Sequence, residues 1–114
     1  MKVLVCGGRD YTDWGQFLAV MEALHAQEPI TVVIHGAYLG ADEMAERWAR
    51  LRQIDFIGCP AKWGLHNRKA GPIRNTHMLE YRPDLVVAFP GGKGTADMTN
   101  KARAAGVEIK AIVA

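Results

Sequence analysis

The chain has 114 residues, 49% of them hydrophobic and 23% charged, with a formal net charge of +2. That length supports one domain with a real core and leaves no room for a separate substrate domain. The small charge does not by itself point to a nucleic-acid partner, and no apolar run is long enough to cross a membrane.

Strand-like and helix-like segments alternate from the first residues, which is the pattern of a parallel α/β sheet. Lys2 to Cys6 reads as a strand that opens the chain directly, with no signal sequence, so a cytoplasmic protein is expected. It runs into Gly7-Gly8-Arg9-Asp10. Arg9 suits bidentate bonds to a phosphate or carboxylate. Asp10 suits a ribose hydroxyl, and a local Arg–Asp pair that shapes the turn explains it equally well. A helix is predicted from about Asp13 to Gln27, with Asp13 and Gln16 in capping-box register and Trp14, Phe17, Leu18, Met21 and Leu24 on one face. Ile30 to His35 is the second strand. Gly36 and Gly40 then surround the start of a second helix, from about Gly40 to Arg52, which buries Ala41, Met44, Ala45 and Trp48. Asp42 in its first turn either orients a sugar or base or complements the helix dipole. His35 reads as a packed strand-end residue, and Glu43 and Glu46 as solvated helix surface.

A short third strand near Asp55 to Cys59 leads into a loop of roughly a dozen residues and a helix that Pro72 can open at its first position. From Phe56 to Leu79 there is no Asp or Glu, while Lys62, Arg68, Lys69 and Arg74 are all positive. A basic loop that ends at a helix start suits a phosphate or nucleotide. Arg74, in the predicted first turn, would oppose the helix dipole, which favours a functional role for it. Trp63 either lies against a base or packs the loop down. Cys6 and Cys59 each end an apolar run and read as reduced thiols, not as a disulfide framework. The four histidines are scattered, so no metal site is expected.

Asp84 to Phe89 is a β-branched, buried strand. Pro90-Gly91-Gly92-Lys93-Gly94-Thr95 follows it and enters a helix that Thr95 can cap, that carries Met98, Ala102 and Ala105 at helical spacing, and that ends at Gly106. Glu108 to Val113 is the last strand. The glycine turn is a phosphate-binding arrangement, because glycines let the backbone approach an anion while the free N–H groups of a helix start point at it. It is not a P-loop, since Lys93-Gly94-Thr95 replaces the Gly-Lys-Ser/Thr order, and the first turn lacks the dinucleotide fingerprint.

Five strands and four helices make an α/β fold, a Rossmann-like three-layer sandwich with a five-stranded, mostly parallel sheet, as one domain over residues 1–114. Ligands of such sheets sit outside the carboxyl ends of the strands. Gly7, Gly8, Arg9, Asp10, Gly36, Gly40, Asp42, Arg74, Pro90, Gly91, Gly92, Gly94 and Thr95 are therefore expected on one rim, as ligand-binding residues. No catalytic residue stands out, and no cofactor is expected.

Four segments together resemble the SLOG superfamily (Smf/DprA–LOG), most closely its YspA-like, YpsA-related branch of small proteins. They are Val5 through Tyr11, His35-Gly36 with Gly40-Ala41-Asp42, Ala70 through Asn75 with Met78, and Ala88 through Thr95. The resemblance implies a domain that binds a nucleotide or nucleotide-derived small molecule on the glycine-rich rim, and it adds Asn75 to the site. It also implies pairing through helices, so a homodimer is an expectation. The "Lonely guy" relatives cleave the N-glycosidic bond of nucleoside monophosphates with a Pro-Gly-Gly-x-Gly-Thr-x-x-Glu motif. Here the Glu position is Met98, and their Arg-Lys pair aligns with Arg74 and Asn75. Asp97 is adjacent to the missing Glu, but one helical residue is a rotation of about 100°, which is expected to aim it elsewhere. Hydrolysis by that mechanism is therefore not expected. Three readings follow. A nucleotide-binding or sensing domain needs only the glycine turns, Arg9, Arg74 and Thr95. A hydrolase would need Asp10, Asp42 or Asp97 as a replacement carboxylate. A single-stranded nucleic-acid module would use the basic 62–74 loop with Trp63, against the modest net charge. The first is preferred.

Overall fold

Strands β1 (Lys2–Cys6), β2 (Val32–His35), β3 (Asp55–Gly58), β4 (Leu85–Ala88) and β5 (Glu108–Ala111) form one sheet in the order β3-β2-β1-β4-β5. This is the arrangement in the computed structural model, which describes residues 1–114. Every neighbouring pair is parallel, with Leu4 opposite Ile34 and Val5 opposite Val87. Because β1 hands on to β2 on one side while β4 lies on its other side, the strand order reverses between β1 and β4. A crevice opens at such a reversal.

The central strands are continuously apolar because helices cover both faces. Val3, Val5, Val33 and Val87 face one way, against Phe17, Met21 and Leu24 of α1 (Trp14–Gln27) and Ala41, Ala45 and Trp48 of α2 (Ala41–Leu51). Leu4, Ile34, Val86 and Ala88 face the other, where α4 (Ala70–Leu79) contributes Met78 and α5 (Lys93–Ala104) contributes Met98 and Ala102. No helix is long and apolar enough to cross a membrane. The expected three-layer α/β architecture is thus present, and its sheet is entirely parallel.

Local chemistry sets the helix boundaries, and several differ from expectation. Asp13 caps α1 by accepting from the Gln16 N–H at 3.0 Å. The Gln16 side chain does not complete a capping box; it accepts from the Tyr11 hydroxyl at 2.6 Å and donates to Val113 O at 2.8 Å. Trp14, Leu18 and Met44 are half-buried, outside the fully buried set. The long β3–α4 connection is not a plain loop: it contains the one-turn helix α3 (Trp63–His66) and a 3-10 turn over Asn67–Lys69. Helix α4 starts at Ala70, so Pro72 is its third residue, where its missing N–H still falls among the donors that have no intrahelical acceptor. Arg74 is consequently the fifth residue, past the first turn, and the dipole argument for it does not hold. In α5 the cap is Gly92, not Thr95, and Ala105 closes the helix while exposed to solvent. The first strand has its predicted bounds, and strand pairing, which decides where each ladder stops, trims the other four by one or two residues at their ends.

Candidate functional site

The turn after β1 is bonded to the loops on both sides of it. Gly8 N–H donates to Pro90 O at 2.8 Å, and Gly8 O accepts from the N–H groups of Tyr11 and Ala41 at 3.2 and 3.3 Å. These approaches need glycine. A Cβ on Gly7 would lie 2.7 Å from Ala41 Cβ and 2.9 Å from Phe89 Cβ. Gly40 has φ +73°, and a Cβ there would collide with Gly8 O. Gly40→Ala is therefore expected to destabilise the protein by about 2 kcal/mol or more, from left-handed strain and the clash together. Urea denaturation checks this, and unchanged stability would mean the loop can move away.

Beyond these packed turns lies a cleft of about 870 Å³ at the carboxyl ends of β1 and β4. Twelve of the fourteen expected residues border it: Gly7, Gly8, Arg9, Asp10, Asp42, Arg74, Asn75, Pro90, Gly91, Gly92, Gly94 and Thr95. Gly36 and Gly40 do not. Gly36 is buried behind the wall with its carbonyl taken by Arg74, and Gly40 holds the α2 loop against the first turn.

The floor at α5 is built from free backbone donors. Helix geometry leaves the N–H groups of its first turn without intrahelical acceptors. No side chain caps them, and no acidic residue stands in that turn. Gly91 is needed for packing, since a Cβ there would come 2.6 Å from Gly8 N. Gly92 and Gly94 are different: a Cβ on either meets nothing within 4 Å, and neither has a positive φ. Packing therefore makes no demand for glycine at these two positions.

Arg74 is tied into the wall. Its Nη1 donates to Gly36 O at 2.6 Å and its Nε donates to Asn75 Oδ1 at 2.9 Å. Asn75, 3% exposed, passes the connection on, its Nδ2 donating to Gly94 O at 3.2 Å and to Asp97 Oδ2 at 3.0 Å. Lys101 completes the chain with an ion pair to Asp97 Oδ2 at 2.9 Å. Asp97 thus faces the cleft, contrary to expectation, while Met98 is fully buried in the core beneath α5. The 100° between them does separate the two side chains, but it is Met98 that turns away. Burial alone would raise the Asp97 pKa, but the hydrogen bonds from Asn75 and Lys101 and the lysine charge hold it below the usual carboxylate range.

Asp42 is 8% exposed and sits in the wall near Arg74. Burial pushes its pKa up to about 6, against the opposing pull of Arg74 and of the Tyr38 and Gly36 amides. Cys6 is pushed up to about 12, first by burial and then by the Asp42 charge, so it stays a thiol and offers no nucleophile. Arg9 is exposed, its proton held more firmly by the neighbouring Tyr38 hydroxyl and by Asp10.

Behind this wall, His35 is packed as expected, but Glu43 and Glu46 are not mere surface. Glu43 Oε1 accepts from Gly40 N–H at 3.1 Å, and Glu46 Oε1 lies 3.2 Å from His35 Nε2. His35 Nδ1 accepts from Ala37 N–H at 2.9 Å, which fits a neutral ring. Burial lowers the His35 pKa, more than the nearby Glu46 raises it. A lowered histidine pKa means the unfolded chain binds the extra proton first. The stability it contributes is complete above its unfolded value of about 6.5 and is lost as pH falls through that value toward the folded one. Asp42 acts in the opposite sense over the same range, so the effect is read as a difference. Relative to the wild type, His35→Gln is expected to fare better at pH 5 than at pH 7 in denaturation midpoints. A difference that does not change with pH would mean that His35 does not gain a proton on unfolding.

Sequence reasoning did not name Tyr38 or Gln16 as residues of the cleft, and it raised Asp97 only as a carboxylate for the hydrolase reading. Tyr38 follows the buried Gly36 in an irregular turn, where no periodicity reports direction. Arg68 and Trp63, singled out for charge and aromaticity, both border the cleft.

Comparison with known proteins agrees with this architecture. The family model described as YspA, cpYpsA-related SLOG family matches residues 1–66, which carry the turns after β1 and β2. The Gene 61 protein of Mycobacterium phage D29 is 36% identical over 119 aligned positions, covering 95% of this chain and 93% of the phage protein.

Proposed function

This chain belongs to the YspA, cpYpsA-related SLOG family, and from that membership and the chemistry of the cleft we propose that it binds a nucleotide or nucleotide-derived small molecule. The phosphate sits at the start of α5, on the amides of Gly92 to Thr95, with Lys93 and Arg9 adding charge. Asp10 accepts from a ribose hydroxyl. Arg74 is first of all a strut that sets the wall, and it keeps its remaining N–H groups for the ligand. One observation carries this reading. Gly92 and Gly94 border the cleft and are free of every packing demand, so their lack of side chains serves whatever approaches the backbone from outside.

A thermal-shift series with AMP, ADP, ATP, NAD, ADP-ribose and a short single-stranded oligonucleotide tests the reading. A ligand of the native state at a hundred times its Kd stabilises by about 2.7 kcal/mol. Stabilisation by a mononucleotide or its derivative is the expected result. Stabilisation by the oligonucleotide alone, abolished by salt, would replace the reading with the nucleic-acid one.

A second reading, hydrolysis of a nucleotide N-glycosidic bond, gains from the cleft-facing position of Asp97. Its Oδ2 is committed to Asn75 and Lys101, however, and Lys101 offsets its charge. No release of free base from nucleoside monophosphates is therefore expected, as read by chromatography. Release that disappears in Asp97→Asn would establish this second reading.

A further inference from the structure

Resting on the nucleotide reading above, we propose that Tyr38 and Trp63 form the subsite for the planar base, so that the far end of the cleft is an aromatic platform. The two side chains come from separate connections, Tyr38 from the turn between β2 and α2 and Trp63 from α3. Their ring centroids are 6.3 Å apart with planes inclined at 51°. Seven large hydrophobic side chains are exposed in this protein: Tyr38, Leu39, Leu51, Trp63, Leu65, Tyr81 and Val113. Of these, Tyr38 and Trp63 alone border the cleft that the glycine turns define, and both are aromatic. Leu39 and Leu65, close by in the sequence, do not border the cleft, so the platform is not a corner of a wider apolar patch there.

Each ring has a fixed neighbour and yet stays open to solvent. Trp63 rests on α4 at Gly71, where a Cβ would lie 3.4 Å from Cη2; the residue remains 47% exposed. Tyr38 is 39% exposed and has the Arg9 guanidinium beside its hydroxyl. Aromatic rings left this open lose the gain of burial unless something covers them, and a heteroaromatic base supplies the matching π-face. The base, ribose and phosphate of one nucleotide would then meet aromatic rings, Asp10 and the α5 amides along a single cleft. Stacking tolerates any base and grows with ring area, so purines should be held more tightly than pyrimidines.

Calorimetric titration with ribose 5-phosphate, UMP and AMP separates the two ends of the cleft. The wild type is expected to bind AMP at least tenfold more tightly than ribose 5-phosphate, with UMP between. In Trp63→Ala and in Tyr38→Ala the advantage of AMP over ribose 5-phosphate should shrink severalfold, with ribose 5-phosphate affinity unchanged in Trp63→Ala, and Trp63→Phe should retain most of the advantage. Equal binding of AMP and ribose 5-phosphate by the wild type would overturn the aromatic subsite and leave the phosphate reading standing. So would an AMP preference that survives both alanine variants. If the wild type binds none of the three, the nucleotide reading fails and this inference fails with it.

Discussion

Replacing Gly94 by alanine is expected to stabilise the free protein while weakening its hold on AMP by tenfold or more. Stability rises because a glycine inside a helix costs up to about 1 kcal/mol relative to alanine, and the added Cβ meets nothing within 4 Å. Binding falls because the same methyl group stands in the cleft beside the amides that receive the phosphate. Gly92→Val should weaken binding further, since its larger side chain leaves from the cap residue of α5. Opposite signs for stability and affinity are the signature of glycines kept for a ligand. Urea denaturation and calorimetry on the same samples read both quantities. A Gly94→Ala protein that binds AMP as well as the wild type would place the phosphate elsewhere.

Arg74→Ala is expected to act in the other way, by damaging the fold before it damages binding. It removes the donors to Gly36 O and Asn75 Oδ1, both in buried residues. Stranding such acceptors costs about 2–3 kcal/mol. It also removes the charge that opposes the burial of Asp42. The folded pKa of Asp42, about 6, lies above the ordinary aspartate value of 3.8. The stability linked to its neutral form is fully present below 3.8 and is lost as pH rises through 6. Without Arg74 the folded value climbs further, so the loss deepens. The variant's deficit should therefore be larger at pH 8 than at pH 4.5, as read by denaturation midpoints at the two pH values. A deficit that does not change with pH would mean that Asp42 does not sense Arg74.

The β4–α5 turn was legible in the sequence because its signal is local: an apolar strand, three glycines and a helix within one short run. The sheet was legible for the same reason, since unbroken apolar strands between amphipathic helices leave a parallel sheet with both faces covered as the solution. What escaped the sequence depends on contacts between distant segments. Arg74 and Gly36 are 38 residues apart, and no local pattern reveals that the guanidinium closes the wall instead of waiting for an anion. Met98 packs on the core face with Ala102, as its spacing implied, and that packing leaves the neighbouring Asp97 facing the cleft, which the comparison with the missing Glu did not reveal. Glycines raised a subtler problem. Gly91 and Gly92 are neighbours of identical chemistry, yet one is demanded by the Gly8 backbone and the other by no packing contact. Only the packed structure separates them.

The most direct measurement is a titration of isotope-labelled protein with AMP, followed through the backbone amide resonances of Gly92, Lys93, Gly94 and Thr95. A phosphate received by the first turn of α5 should move these four signals together, more than those of the β3 and β5 edges, and ribose 5-phosphate should move them in the same direction. AMP that shifts other amides and leaves these four in place would contradict the account.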